Sequence, residues 1–352
     1  MTKVLFLLAA VMLLAGCTLF AEEKREMPPP SPQPSIIQPK NEENETNQTS
    51  EEVEPKKNRT VVKPVERPDP FASFPPRNLS DRIDDGMFKV HDMPGAPLNI
   101  YVIDAEWGDA VLINKGQFYM LVDAGHPKVV DFLKDMKVEK VHALVLSRKA
   151  PQSVGGAERL LEEIEVEEIW ENNVQYSQSS VALVQEDNTY EKVLENAKAN
   201  GITIKHPQAG DRLAVSGMEI LVLNPQPQRF KGNPDVDSIV LKVSFNNFCI
   251  LILHPTIQEI ENALMKAGDE LSCPVITYFK HGEARPRPPL LLEKNQVQQV
   301  IISAGKDSPS LPSPATLELL RLKGIKVWRT DKDGTIRIYA DGYSPYEVGK
   351  AG

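Results

Sequence analysis

The residues best suited to metal or acid–base chemistry are few and scattered. Six histidines are present, at His91, His126, His142, His206, His254 and His281, and no two lie within five positions of each other. Hydrolytic zinc needs several deprotonated nitrogen and oxygen donors meeting at about 2.0–2.2 Å, and closely spaced histidines usually supply them. Three cysteines exclude a Cys-rich zinc module and a disulfide scaffold. Ser147 and Ser153 are nucleophiles in type only, because no histidine base stands beside them in sequence and no nucleophile elbow surrounds them. The one residue with a clear chemical assignment is Cys17. An apolar run, Val4–Ala15, ends in Leu14-Ala15-Gly16-Cys17, the pattern of a lipobox. The run is too short to span a bilayer, which takes about 20 residues, but it suits the core of a secretory signal. The expectation is removal of 1–16 and lipid on Cys17, each buried methylene adding about 0.8 kcal/mol of membrane affinity. An ordinary signal peptide with an incidental cysteine is the alternative. Localisation is then extracytoplasmic, anchored to the cell membrane as a lipoprotein.

Residues 17–94 are expected to be a disordered tether. Met27–Pro34 favours polyproline II, and Asn41–Lys57 is nearly all Asn, Glu, Thr, Gln, Ser and Lys. Such a segment cannot bury enough apolar surface to offset its ordering entropy. Asn-x-Ser/Thr triplets at Asn44, Asn47, Asn58 and Asn78 all fall in it, as glycosylation acceptors or by chance. The whole chain of 352 residues carries a net charge of −9, which argues against a general nucleic-acid coat.

Residues 95–345 are expected to form the folded body, with 346–352 as a tail. Strands are predicted at Leu98–Ile103, Ala110–Ile113 and Phe118–Val122, and a strand buried on both faces at Val141–Leu146. Helices are predicted at Ala157–Ile164 and Asn188–Ala199, the second stopped by Gly201. Hairpins turn at Ser216-Gly217 and Asn246-Asn247. Later strands alternate with helices, as at Thr256–Ala267, Val275–Tyr278, Val300–Ile302 and Ala315–Leu322. This grammar gives an α/β body with two mixed sheets and helices outside them.

The motifs of this body resemble a known family. Ile103–Ala110 is similar to the opening Asp-Val-Gly-Gln-Gly-Asp-Ala of metallo-β-lactamase-fold domains of the ComEC type, the DNA-internalisation protein of competence. Leu121–Gly125, Ala143–Ser147 with Val154–Gly156, Ala209–Asp211, Asp237–Leu241, Lys280–Gly282, Pro312–Pro314 and Arg329–Gly334 follow in family order. The resemblance covers about Leu98–Asp341 and implies an αβ/βα four-layer sandwich with its site at the sheet edges. It also implies a metal-dependent, nuclease-like hydrolase.

The metal loop departs from that pattern. Where the family has Thr-His-x-His-x-Asp-His-x-Gly-Gly, the ligand positions here are Arg148, Ala150, Gln152 and Ser153. The later aspartate falls at Pro255, the adjacent histidine pair at Lys280 and His281, and another histidine at Leu311. Only His281 survives, and one imidazole does not hold a catalytic zinc. No cofactor is expected. Arg148, Lys149, Lys280, Arg285 and Arg287 stand on the emptied ground, with Asp123 and Asp109 below. The candidate binding residues are therefore Arg148, Lys149, Lys280, His281 and Asp123, for an anionic ligand such as a nucleic acid, nucleotide or glycan acid. Arg148 could equally replace the lost cation as a structural ion pair. The enzyme alternative is a metal site rebuilt around His254 and His126. Glu158–Glu171, with seven acids, reads as a solvated face. Trp107, Trp170 and Trp328 read as core, Trp107 being the exception because it lies in a site loop. Cys249 and Cys273 read as apolar fillers, with a disulfide left open.

Overall fold

The computed structural model describes residues 88, 93, 95–173, 188–226, 233–253, 258–265, 271–285, 289–294, 296–308 and 310–352. All of these lie in one compact unit, Glu66–Gly352. Cys17, the Asn-x-Ser/Thr sites, His91, His254, Pro255 and Arg287 lie outside the described residues. Among the described residues no helix is long and apolar enough to cross a membrane.

Three strands open the body: β1 (Leu98–Val102), β2 (Val111–Lys115) and β3 (Phe118–Val122) form an antiparallel meander. The chain then switches to parallel pairing through β4 (Lys140–Val145), β5 (Glu165–Trp170) and β6 (Thr203–Lys205). The helices Lys128–Asp135, Ala157–Glu163 and Thr189–Ala199 are the crossovers such pairing requires. A second sheet begins with the hairpins β7 (Arg212–Val215) to β8 (Met218–Asn224) and β9 (Val240–Phe245) to β10 (Phe248–Ile252). It continues in parallel through β11 (Val275–Thr277), β12 (Gln299–Ile302) and β13 (Lys326–Arg329). β14 (Ile336–Ala340) returns to pair with β1, and β15 (Glu347–Lys350) pairs with β14. The order is β15-β14-β1-β2-β3-β4-β5-β6 in one sheet and β13-β12-β11-β10-β9-β8-β7 in the other.

Alternation along the strands builds the layers. One core joins the two sheets, with Ile100, Ile113, Met120, Val122 and Trp170 from the first against Ile220, Leu241, Val243, Ile250 and Ile301 from the second. Leu112, Leu121, Leu144 and Ile169 face outward from the first sheet onto its helices. Leu221, Leu251, Ile276 and Val300 do the same for the second. The result is the expected αβ/βα four-layer sandwich. Hairpin chemistry sets register as predicted: Ser216 and Gly217 have φ of +50° and +78°, the paired positive angles of a tight turn between twisted strands.

The structure corrects three boundaries. Phe88 is buried, packed against Phe118 and His142, so core-forming residues begin inside the stretch read as tether. Residues 347–350, read as tail, form β15; Glu-Val-Gly-Lys holds a single large apolar side chain and gives no strand signal. The acidic run is not one solvated face, because 165–170 is strand β5 and Glu168 and Glu171 are buried at 3% and 5% exposure.

Candidate functional site

The parallel strands point their carboxyl ends to one edge, where crossover loops gather. β3 delivers Asp123, β4 delivers Ser147 and Arg148, and Phe279–Gly282 delivers His281 after β11. Backbone hydrogen bonds weave the loops together. Asp109 N donates to Gln152 O at 2.7 Å, Ala124 N to Ser153 O at 2.9 Å and Gly156 N to Ala124 O at 2.7 Å. Gly125 is required here: a Cβ on it would lie 1.8 Å from Gln152 O. Ile239 N donates to Ser147 O at 2.7 Å, which ties in the second sheet and carries Asp235 with it.

Asp123 is fully buried with φ of +63°. Its carboxylate accepts hydrogen bonds from Ser147 N at 2.7 Å and Ser147 Oγ at 2.6 Å. Ser147 therefore serves as a holder of Asp123, and Ser153 Oγ lies 3.4 Å behind it. His281 also has positive φ, +53°. Its Nδ1 lies 3.0 Å from Ser303 O and 3.8 Å from Asp109 Oδ1. Asp123 and His281 thus both hold a backbone conformation that non-glycine residues seldom adopt.

Arg148 is 8% exposed. One Nη lies 3.5 Å from Asp235 Oδ1 and the other 3.7 Å from Asp109 Oδ2, while Nε is buried without a hydrogen-bond partner. A guanidinium has five N–H donors, and strong charge-assisted bonds run about 2.7–2.9 Å. Arg148 thus sits between two carboxylates without closing tightly on either.

The other expected binding residues part company. Lys149 pairs with Glu191 on the helix Thr189–Ala199, and Arg285 pairs with the buried Glu261 at 2.6 Å. The side chain of Lys280 lies outside the described residues. Of the five candidate binding residues, Arg148 and His281 meet the same carboxylate, that of Asp109. Trp107 is 41% exposed and stands edge-on to His126, 5.5 Å between ring centres, so it is not core; Trp170 is fully buried.

Sequence reasoning missed Asp235, two residues before a quoted motif, and a polar knot beside the site. In that knot Glu171 accepts from Tyr190 OH at 3.0 Å and lies 2.5 Å from His206 Nδ1. Both groups follow the ends of adjacent strands, β5 and β6, the one signal that would have joined them. Cys249 and Cys273 form a disulfide between β10 and the segment before β11.

Gln152 gives its backbone carbonyl to Asp109, and Ser153 is buried with its hydroxyl against that of Ser147. Among the described residues no group of three or more His, Cys, Asp or Glu is placed to hold a metal ion.

ComE operon protein 3 of Bacillus subtilis is 26% identical over 214 residues, 60% of this chain and 26% of that protein. The folded body resembles the ComEC type. The chain spans about a quarter of the length of that relative. No family model matches. Among solved structures, the metallo-β-lactamase fold protein YhfI from Bacillus subtilis is 10% identical, covers 68% of this chain and 99% of its own, and has a TM-score of 0.43. Tm1679, a metal-dependent hydrolase of the β-lactamase superfamily, is 12% identical with 66% and 95% coverage and a TM-score of 0.46. The Arg148–Asp109–Asp235 contact lies where the loops after β4, β1 and β8 come together.

Proposed function

We propose that the chain is a lipid-tethered, extracytoplasmic module whose ComEC-like body binds rather than cleaves. The carrying observation is Arg148: a buried guanidinium lies against Asp109 and Asp235 at the first position of the metal loop. Removing a divalent ion from a site leaves carboxylates uncompensated, and a fixed cation offsets them. Such a site supplies no polarising metal and no activated water, the two things a metallohydrolase needs. Export is supported by the Cys249–Cys273 disulfide, since disulfides persist in oxidising compartments, and by the lipobox at Cys17. Those three cysteines exhaust the cysteine content.

The ligand in this proposal is an anionic group or a partner surface bearing one. Lys149 and Arg285 are matched to carboxylates of their own chain, so the anionic preference rests on the donors Arg148 does not spend. The test is a screen of the purified chain against single-stranded DNA, nucleotides and anionic glycans, with a hydrolysis assay beside it. Saturable binding that Arg148→Ala weakens, without chelator-sensitive turnover, supports the reading. Hydrolysis abolished by chelator and restored by zinc or manganese replaces it with the enzyme alternative. In cells, Cys17→Ser should move the protein from the membrane fraction to the soluble extracytoplasmic fraction; unchanged membrane retention sinks the lipid anchor.

A further inference from the structure

We infer that the edge of the sandwich opposite the candidate site is a membrane-facing surface that docks shallowly on a phospholipid bilayer. The inference deepens the lipid-tethered reading and rests on it for the presence of a bilayer. Among the described residues four large apolar side chains are exposed: Met93 at 40%, Trp107 at 41%, Leu322 at 70% and Tyr343 at 91%. Trp107 follows β1, at the site edge. The other three lie where the parallel strands begin. Leu98 at the start of β1 pairs with Ala340 and with Lys115, and Lys115 pairs with Phe118 at the start of β3. The turn after Ala340, which carries Tyr343, and the entry of the chain at Met93 therefore share this edge. A Cβ on Gly116, in the β2–β3 turn, would lie 3.0 Å from Met93 Cβ. Lys326 starts β13, and its N donates to Gln298 O at 2.9 Å, while Tyr346 OH donates to Gln298 Oε1 at 3.1 Å. The turns carrying Leu322 and Tyr343 thus flank Gln298 on the same edge.

Residues 321–324, Arg-Leu-Lys-Gly, are all exposed, and Gly324 turns the chain with φ of +69°. Leu322 is a tip with a cation on either side. Arg321 pairs with Glu318 at 2.7 Å, Lys323 is exposed, and Lys326 Nζ lies 4.1 Å from the centre of the Trp328 ring. Such a tip fits a bilayer interface, where an aliphatic side chain enters the acyl boundary and flanking cations meet lipid phosphates. Tyr343 fits it too, since a ring with one polar end settles at headgroup level. Asp341 and the exposed Glu347 stand on the Tyr343 side, and Asp341 accepts from Tyr343 N at 2.8 Å and Ser344 N at 2.7 Å. The attraction for anionic lipid therefore belongs to the Leu322 side. Three separate tips hold weakly alone, but a lipid on the same chain makes the contact intramolecular. Docking by this edge turns the Arg148 site away from the bilayer.

The test places the full chain, purified from membranes, in vesicles of phosphatidylcholine and phosphatidylglycerol whose acyl chains carry bromine, a short-range quencher of tryptophan. The emission that Tyr343→Trp adds to the parent should be mostly lost in brominated vesicles. The emission that Trp107→Phe removes should be insensitive to bromine. Leu322→Asp with Lys323→Glu, added to the Tyr343→Trp chain, should restore the lost emission. Circular dichroism establishes that each variant is folded, and Met93→Trp is the second reporter should the first not fold. Retention on vesicles with both reporters unquenched overturns the docking and leaves the lipid anchor standing. Quenching that survives in Cys17→Ser, with membrane retention unchanged, supports the docking and sinks the anchor. Shielding of the Tyr343→Trp reporter without lipid, rising with protein concentration, assigns the edge to a second copy and overturns the inference.

Discussion

Glu168 offers a sharp test of how this sandwich is built. It sits on β5, is 3% exposed, and accepts a hydrogen bond from Trp170 Nε1. Burial pushes its carboxyl up to about 7, with Trp170 and Lys205 holding it back and Glu167 adding to the rise. A carboxyl raised in this way binds its proton more tightly folded than unfolded. Its contribution to stability is complete below the unfolded value of 4.5 and is lost as pH rises through about 7. Each unit is worth about 1.4 kcal/mol, so the folded protein loses roughly 3 kcal/mol from this group between pH 4.5 and 8. Glu168→Gln keeps an acceptor for Trp170 and removes the titration. Denaturant unfolding of parent and variant at pH 5 and pH 8.5 gives the difference between them at each pH, in which all other groups cancel. The variant should gain on the parent by about 3 kcal/mol from the lower to the higher pH. A gap that changes by less than about 1 kcal/mol would refute the reasoning, because Glu168 would then be solvated or fully paired in both states.

Gly125→Ala drives a Cβ into the Gln152 carbonyl, so either the Asp123–His126 turn or the 150–153 loop must shift; we expect a loss of about 1–3 kcal/mol in unfolding free energy and disturbed resonances for Asp109 and Ser153. Opening the Cys249–Cys273 bond, which closes a sequence separation of 24, should cost about 3 kcal/mol; equal midpoints with and without reductant would show that the bond does not form in solution.

Much of the architecture was open to reading because its signals are local. The β2–β3 and Ser216-Gly217 turns, the buried run of β4 and the helix stop at Gly201 each depend on neighbouring residues alone. β5 and β15 were lost because their sequences, Glu-Val-Glu-Glu-Ile-Trp and Glu-Val-Gly-Lys, show charge where strands usually show apolar runs. Tertiary packing overrides that signal, for Glu168 shares the inter-sheet face with Trp170. At the site, the cations Arg148 and Lys149 were open to reading because they follow the buried run of β4 directly. The partners of the cations were not. Asp235 meets Arg148 across 87 positions and Glu191 meets Lys149 across 42, and no residue-type rule sets such distances.

The central claim is that a cation of the chain itself stands where a hydrolase of this architecture keeps its metal. The most direct measurement is elemental analysis of the full chain, purified without chelator from cells grown with added zinc and manganese. The account predicts well under one transition-metal ion per chain, and no change in thermal midpoint on adding chelator. One or more firmly held ions per chain, with a midpoint that falls when they are stripped, would contradict it.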